Sequence, residues 1–357
     1  MTNQENKQKP VLAISVGDLN GIGPEIIIKT FSDKRILEFC TPVIFANHSV
    51  IGYHKKALSG IRFNYNSIED LSKIKEGFVN VFIAWEERVN ITMGQPNPEN
   101  ATYTLQSLKQ AYKAVQDGYA SGIVTAPINK KTLQEAGFNF PGHTEFLAEP
   151  YENTEPLMFF TSSLLKVACL TGHIPLSEVT GQITSAKVHS TITTIQKSLE
   201  NDFLIDHPKI AVLGVNPHAG EEGTLGNTEQ EIIIPEIEKL QGKNYFIKGP
   251  YPADSFFGTG MYRKFDATLA MYHDQGLLPF KTLAFDEGVN YTAGLPIVRT
   301  SPDHGTGYGI AGNNEADESS FRNAVTEACQ IIRNRKISKE AGENPLQTKF
   351  KKEKERS

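Results

Sequence analysis

The chain has 357 residues, about twice the usual size of one domain, so we expect two domains with a core each. Its 36 basic and 41 acidic residues give a formal net charge of −5, which disfavours nucleic acids and anionic membrane surfaces as partners. The three scattered cysteines, the polar first ten residues and the lack of any apolar run near the roughly 18 residues of a membrane span indicate a cytoplasmic protein without disulfides or a secretory signal.

The secondary-structure pattern predicts an α/β fold with a largely parallel sheet, because short β-branched or apolar runs alternate with stretches of helical period. The predicted strands cover residues 11–16, 42–46, 81–84, 122–127, 165–171, 209–216, 267–273 and 281–285. The predicted helices begin near Pro24, cover 99–119, begin at Thr228 with that residue as the cap, and begin at Ser319. Beyond the last helix, lysines, one arginine and glutamates alternate, which is typical of a solvated, mobile tail.

Two glycine-rich segments are candidates for contact with a nucleotide. Residues 15–31 place a glycine-rich turn between a strand and a helix, but they match neither the G-x-G-x-x-G spacing nor a P-loop, so a dinucleotide must be held in another way. Residues 292–312 contain five glycines, which permit close approach of backbone N–H groups to a ligand. A tight structural turn is the alternative interpretation of that second segment.

Four of the nine histidines follow an apolar run or a tight turn, where open α/β sheets bind ligands. They are His143, His173, His218 and His273. Any one of them is more often a satisfied structural residue, but three imidazoles from separate strand ends match the ligand number of a catalytic divalent metal site. Two nearby carboxylates, Asp254 and Asp274, are candidate partners that orient the rings or ligands in their own right, and spacing leaves both roles open.

An anion-binding function is suggested by two cations in turn-rich surroundings, Lys281 and Arg299. The guanidinium fork suits phosphate or carboxylate, and the ammonium is a compact charge. A surface salt bridge is the alternative for either. Asn290 lies between them in sequence and is able to donate to or accept from a substrate.

Eight segments together resemble the 4-hydroxythreonine-4-phosphate dehydrogenase family of pyridoxal phosphate biosynthesis. In chain order they are GDLNGIGPEI, VTAPINK, FPGHTEFLAE, LTGHIPL, VNPHAGEEGTLGNTEQEIIIPEI, GPYPADSFF, MYHDQGLLPFK and GVNYTAGLPIVRTSPDHGTGYGIAG. The family is similar in fold to isocitrate and isopropylmalate dehydrogenases, which implies a two-domain α/β/α architecture with the active site in the interdomain cleft. The implied first domain combines 1–135 with 290–345, the second covers 136–289, and 346–357 form the mobile charged tail.

The resemblance also implies a role for individual residues, since each of these positions carries the expected residue type. Its metal ligands fall on His173, His218 and His273, its substrate contacts on His143, Thr144, Lys281, Asn290 and Arg299, and its nucleotide loop on Asp303, His304, Gly305, Thr306 and Gly309. The implied assembly is a homodimer with a shared active site, to which the partner subunit contributes its copy of His273. Leu19 and Asn20 depart from the usual Pro-Ala of the family, at a turn that contains none of the metal positions.

The activity that the resemblance implies is oxidation of 4-phosphooxy-L-threonine with NAD or NADP, followed by loss of carbon dioxide to give 3-amino-2-oxopropyl phosphate. Zinc, magnesium, cobalt and manganese all remain candidates for the metal. Asp254, Asp274 and metal-bound water are candidates for accepting the hydroxyl proton. Dehydrogenases of 4-phospho-D-threonate or 4-phospho-D-erythronate are alternatives, because no motif recognises the amine that separates these substrates. A phosphate acyltransferase and a non-catalytic binding module are more distant alternatives.

Overall fold

The computed structural model describes residues 9–152, 154–243 and 245–343. Within them, twelve strands form one mixed sheet. The strands are β1 Val11–Ser15, β2 Thr41–Ala46, β3 Asn66–Ile68, β4 Asn80–Ile83, β5 Gly122–Thr125, β6 Leu157–Thr161, β7 Lys166–Cys169, β8 Lys209–Leu213, β9 Phe246–Tyr251, β10 Ala267–Ala270, β11 Val289–Ala293 and β12 Val298–Pro302. The predicted charged tail, 346–357, lies outside the described residues.

The α-helices connect and cover these strands. They are α1 Gly23–Ser32, α2 His48–Ala57, α3 Pro98–Gln116, α4 Lys130–Glu135, α5 His143–Ala148, α6 Leu176–Gln182, α7 Ser185–Asn201, α8 Ile234–Gln241, α9 Ala253–Gly258, α10 His273–Ala284 and α11 Ser319–Glu343. A π-turn, Glu229–Ile233, precedes α8, and a short 3₁₀ segment, Pro217–Gly223, follows β8. Among the helices of the described residues, none combines the length and apolar character needed to span a bilayer.

The sheet changes direction near its middle. Its strand order is β3-β4-β2-β1-β5-β12-β11-β6-β7-β10-β8-β9. All neighbours from β3 to β12 are parallel, β11 and β6 are antiparallel to both of their neighbours, and β7, β10, β8 and β9 are again parallel. The predicted α/β class with a large sheet is therefore confirmed, whereas the division into two domains stays a prediction.

Strands β2, β5 and β12 are buried along their whole length because helices cover both faces of the sheet. Every residue of β2 and β5 is buried, and α3 and α11 pack on this part of the sheet. At the end of β1, Gly17 adopts φ +70°, and a Cβ there would lie 2.3 Å from the carbonyl oxygen of Pro127. Only glycine permits this close approach, which brings the glycine-rich turn against the segment that follows β5.

Seven of the eight predicted strands are confirmed, and the strand at 281–285 is wrong. Those residues complete α10 instead, where Leu277, Phe280 and Ala284 are buried with the i, i+3, i+7 spacing of a helix face. A short apolar run alone does not distinguish a strand from a buried helical turn, which explains the error. Near the middle of α10, Gly276 packs so closely on β7 and β10 that a Cβ would lie 2.8 Å from Val167.

The remaining helices confirm the predictions with one change at Thr228. Helices begin at Gly23 with Pro24 in the first turn, span Pro98–Gln116 and begin at Ser319 as expected. The helix near Thr228 exists, but the Thr228 side chain forms no capping hydrogen bond and the first turn is a π-turn. Its carboxylate, Glu229, turns back toward the end of β8 instead of lying free in the first turn.

The predicted glycine-rich loop at 292–312 is partly wrong. Residues 289–293 and 298–302 form β11 and β12, an antiparallel pair in the middle of the sheet, and only the connection at 294–297 and the segment after Pro302 are loops. β3, β6 and β9 were also absent from the predicted strands. β3 has only three residues and β9 contains a glycine and a proline, so neither shows a clear period of two, whereas β6 is a short apolar run that the sequence analysis missed.

A partly buried carboxyl group where α11 meets β6 predicts a pH-dependent stability. The Glu327 side chain accepts a hydrogen bond from the Thr161 hydroxyl, with O–O distances of 2.6 and 2.7 Å, and burial raises its pKa from 4.5 to about 7. Between these two values the folded state binds more protons than the unfolded state, so the free energy of unfolding falls as the pH rises and stays lowered above pH 7. We expect Glu327→Gln to stabilise the protein at pH 8 by about 1–3 kcal/mol and to have little effect at pH 5.

The measurement is thermal unfolding of both proteins from pH 5 to pH 8. Glu69→Gln, at an exposed position, is the control and should change neither the melting temperature nor its pH dependence. A difference between wild type and Glu327→Gln that is the same at every pH would contradict the assignment.

Candidate active site

A cavity of about 340 Å³ opens where the sheet changes direction. It is bounded by residues that follow β5, by the start of α5, by β11 and β12, and by the segment after β7. The predicted site residues that line it are His143, Thr144, His173, Asn290, Arg299, His304 and Gly305. Residues from five separate parts of the sequence therefore meet in one cleft.

Arg299 lies at the base of this cavity. It is in the middle of β12 and not in a turn, because β12 pairs with β5 on one side and β11 on the other. Its side chain is 3% exposed, and its guanidinium donates to the hydroxyls of Thr292 (3.1 Å) and Thr125 (3.0 Å). Its Nε has no partner within the described residues. Burial lowers the pKa of Arg299 to about 10, so it remains a cation at neutral pH with hydrogen-bonding capacity to spare.

His143 contacts Arg299 at the start of α5. Arg299 Nη2 lies 3.4 Å from His143 Nδ1, and burial, followed by the charges of Arg299 and Lys130, lowers the pKa of His143 well below 6.5. Because arginine only donates, Nδ1 is the acceptor and the neutral ring carries its proton on Nε2. That Nε2 is buried without a partner in the described part of the chain, as is Asn290 Oδ1. The cavity thus offers two unpaired donors, Arg299 Nε and His143 Nε2, and one unpaired acceptor, Asn290 Oδ1, to a ligand.

Two predicted metal ligands are adjacent. His173 and His273 follow β7 and β10, which are neighbouring parallel strands, and their ring centroids are 5.3 Å apart. Burial lowers the pKa of His173, so this imidazole has a free lone pair at neutral pH. His273 Nδ1 lies 2.7 Å from a carboxylate oxygen of Asp274, which orients the ring and leaves Nε2 to a ligand.

His218 lies at the same edge of the sheet but does not join the pair in one chain. It follows β8, the next parallel strand, and is exposed in a turn in which residues 218–222 all have positive φ. Among the residues that the structure describes, no three histidine, cysteine, aspartate or glutamate side chains are grouped so that they could hold a metal ion. Two nitrogen donors from neighbouring strands of one chain fit a divalent metal. That His218 joins the site, and that the site takes the partner subunit's His273, stay predictions.

The turn with His218 is held by Glu229, which the sequence analysis did not identify as a site residue. This fully buried carboxylate accepts hydrogen bonds from the backbone N–H groups of Val215 and Asn216, both at 2.8 Å, and from the Asn216 amide at 2.9 Å. A left-handed backbone over five residues is strained and persists only where its surroundings fix it. Glu229 supplies that constraint, since it ties the start of the turn to the π-turn before α8.

The two predicted catalytic carboxylates lie outside the cavity. Asp274 is 82% exposed and interacts with His273, which favours the orienting role. Asp254 is exposed in the first turn of α9, a helix that packs against the turn containing His218. Neither side chain lines the cleft in this chain, so their assignment as proton acceptors stays a prediction.

Lys281 forms a salt bridge with Asp303, another of the predicted site residues. Its ammonium lies 3.2 Å from a carboxylate oxygen of Asp303 and donates to the Asp303 carbonyl at 3.1 Å, and neither residue lines the cavity. Burial raises the pKa of Asp303, although the Lys281 charge opposes this effect. The pair fixes the start of the loop after β12, next to His304, whose Nε2 is buried and unpaired within the described chain.

The loop after β12 packs on the glycine-rich turn through contacts that the sequence analysis missed. Asp18, 6% exposed, accepts a hydrogen bond from the Tyr308 hydroxyl at 2.6 Å, and the backbone N–H of Ile22 donates to the Thr306 carbonyl at 2.9 Å. Thr306 and Gly309 belong to this loop but do not line the cavity. The motif GDLNGIGPEI contained Asp18, but no local pattern indicated its partner 290 residues away.

Comparisons with known proteins show which sequences this chain resembles. The sequence profile of the family described as pyridoxal phosphate biosynthetic protein PdxA matches residues 38–328. A 4-hydroxythreonine-4-phosphate dehydrogenase from Bacteroides thetaiotaomicron is 44% identical over 348 residues, which are 97% of this chain and 95% of that relative. A relative from Oceanobacillus iheyensis that carries the name of a D-threonate 4-phosphate dehydrogenase is 37% identical and covers 91% of this chain and 98% of its own length.

A solved structure is similar to this chain in fold as well as in sequence. The 4-hydroxythreonine-4-phosphate dehydrogenase from Klebsiella pneumoniae superimposes with a TM-score of 0.78 at 31% identity, over 92% of this chain and 99% of that one. The mixed sheet, the cleft at its change of direction and these relatives define an oxidoreductase of the α/β class. The chain belongs to the PdxA family of pyridoxal phosphate biosynthesis.

Proposed function

We propose that this chain oxidises 4-hydroxythreonine 4-phosphate with a nicotinamide cofactor and releases the product after decarboxylation. The hydride leaves C3 of the substrate for the nicotinamide, and the hydroxyl proton is released. The resulting 3-oxo acid loses its carboxylate as carbon dioxide and gives 3-amino-2-oxopropyl phosphate. The observation that carries the proposal is the cleft in which the buried guanidinium of Arg299 meets the neutral ring of His143.

Substrate binding follows from the charges and unpaired groups of the cleft. The guanidinium of Arg299 has a free N–H and attracts one anionic end of the substrate into a poorly solvated site. His143 Nε2–H is a donor for a substrate oxygen, and Asn290 Oδ1 is an acceptor suited to the substrate ammonium or hydroxyl. Thr144 lines the same wall. Fixed donors and acceptors of this kind hold the alcohol carbon in position for hydride transfer.

The cofactor side of the cleft is formed by the loop after β12. His304 and Gly305 line the cavity, and Asp303, Thr306 and Gly309 complete the loop that we assign to the nucleotide. The Asp18–Tyr308 and Ile22–Thr306 hydrogen bonds fix this loop to the turn after β1. In this proposal the loop after β12 contacts NAD, and no strand-to-helix turn does so. The chain therefore binds NAD without the G-x-G-x-x-G spacing.

The imidazoles of His173, His218 and His273 are the residues that would hold a divalent cation. Such an ion supplies Lewis acidity, which lowers the pKa of a bound hydroxyl and polarises a ketone. His173 contributes a lone pair that burial keeps unprotonated, and Asp274 orients the ring of His273. Zinc, cobalt and manganese all suit imidazole ligands, and magnesium suits them less.

Substrate choice is tested by steady-state kinetics with one enzyme preparation. NADH formation is measured with 4-hydroxythreonine 4-phosphate, with D-threonate 4-phosphate and with D-erythronate 4-phosphate. We expect the highest kcat/KM with the amino acid. The name of the Oceanobacillus iheyensis relative supports D-threonate 4-phosphate as the second candidate, and a higher kcat/KM with either sugar acid would replace our proposal.

We also propose that the enzyme works as a homodimer that completes the metal site. Leu278 on α10 is 69% exposed and Phe285 directly after it is 65% exposed, on the element that begins with His273. Apolar side chains grouped beside a functional residue are typical of a subunit interface. We expect Leu278→Glu to convert the dimer to a monomer in analytical ultracentrifugation, whereas Phe78→Glu, at an exposed residue next to β4, should not. A monomeric wild type would contradict this part of the proposal.

A further inference from the structure

We propose that Lys130, to which the sequence analysis gave no role, binds the phosphate of the substrate at the mouth of the cleft. This inference rests on the function proposed above and names one of its substrate contacts. Lys130 is the last residue of the VTAPINK segment and the first residue of α4. It lines the same cavity as His143, His173 and Arg299.

The position of Lys130 is fixed by the chain on both sides of the cleft. The segment before it follows β5 and is held by the backbone hydrogen bond from Asp18 N to Pro127 O, 2.9 Å. Asn129 donates to the Tyr308 hydroxyl at 3.1 Å and accepts from Thr132 N at 3.2 Å, so the start of α4 is anchored to the loop after β12. The Lys130 ammonium reaches Gly142, with Nζ 4.0 Å from where a Cβ of that residue would lie.

The charge of Lys130 is available to a ligand. Within residues 9–152, 154–243 and 245–343, no carboxylate forms a salt bridge with it. Of the lysines and arginines in the described chain, Lys130 and Arg299 are the two that line this cavity. Lys281 is already paired with Asp303 outside it. Against these two cations the cavity walls contain one carboxylate, that of Glu145, so the site favours an anion.

The chemistry of the two cations assigns them to different parts of the substrate. Lys130 is exposed, whereas Arg299 is at the buried base of the cleft. A phosphate monoester carries nearly two negative charges at neutral pH and loses the most hydration on burial, so it is best placed at the open mouth, beside a compact ammonium.

The experiment compares Lys130→Met with Lys131→Met, a matched control because Lys131 is an exposed neighbour that does not line the cavity. Inorganic phosphate is used as a competitive inhibitor of substrate oxidation, and KM is measured for substrate and for NAD. In Lys130→Met we expect the Ki of phosphate and the KM of the substrate to rise about 10- to 100-fold, with the KM of NAD unchanged. Lys130→Arg should recover most of the affinity, and Lys131→Met should match the wild type.

An unchanged phosphate Ki in Lys130→Met would overturn the inference even if the enzyme is active. Equal rises in the KM of substrate and NAD would also overturn it, because they would show that Lys130 stabilises the structure of the whole cleft and does not bind the phosphate. Failure of the proposed function is a separate outcome, since the wild type would then not turn over 4-hydroxythreonine 4-phosphate. In that case, calorimetric titration of inorganic phosphate into wild type and Lys130→Met still decides whether Lys130 binds phosphate.

Discussion

Replacing Arg299 by methionine is expected to lower kcat/KM for the phosphorylated substrate by about 100-fold or more. The chain is nevertheless expected to fold and to melt at a temperature equal to or above that of the wild type. Both expectations have one cause. Arg299 is a buried cation whose hydrogen-bonded neighbours are hydroxyls and a neutral imidazole, and the nearby carboxylate of Glu145 offsets only part of its desolvation. An anionic substrate supplies the rest of the compensating charge, and methionine removes the penalty together with the binding.

The measurement combines steady-state kinetics with thermal unfolding. The fall in kcat/KM should come mainly from a higher KM for the substrate, with the KM for NAD unchanged, because NAD is assigned to the loop after β12 and not to Arg299. Arg62→Met, at an exposed arginine, is the control and should leave both kinetics and melting unchanged. A variant that melts far below the wild type would show that Arg299 is a structural residue, and unchanged substrate KM would remove it from the binding site.

The sequence predicted the fold class and the types of functional side chain better than it predicted where those side chains lie. Apolar strands buried on both faces, such as β2 and β5, are visible as continuous runs, so most of the parallel part of the sheet could be predicted. Arg299 was identified from its residue type, but its position in a strand was missed. The signal for β12 was weak because a buried charge interrupts its apolar pattern.

The sequence predicts which side chains meet when they follow neighbouring strands. It does not predict groupings that depend on contacts between distant parts of the chain. His173 and His273 meet because two parallel strands end side by side, which the strand-end argument anticipates. His218 was expected in the same group, but its position depends on a left-handed turn fixed by Glu229, which is eleven positions further along the chain. The Asp18–Tyr308 contact spans nearly the whole chain and has no local signature.

The second large effect is expected at the paired imidazoles. His173→Ala should abolish turnover and lower the content of bound divalent metal, with the fold intact. The His173 side chain is exposed in the single chain, but desolvation and the nearby charges of Lys130 and His273 lower its pKa, so the neutral ring is ready to bind a cation before substrate arrives. Removal of one of three ligands typically leaves a site too weak to retain zinc during purification, since each protein ligand contributes much of the binding free energy.

Metal content is measured by inductively coupled plasma mass spectrometry after gel filtration, and turnover by NADH absorbance, for the His173, His218 and His273 alanine variants. His48→Ala, an exposed histidine that interacts with Tyr65, is the control and should keep both metal and activity. Loss of metal in all three variants would establish the three-histidine site. Retained metal and full turnover in His218→Ala alone would restrict the site to the adjacent pair, and the same result in His173→Ala would disprove the metal assignment, because the two rings that the fold places 5.3 Å apart would then have another purpose.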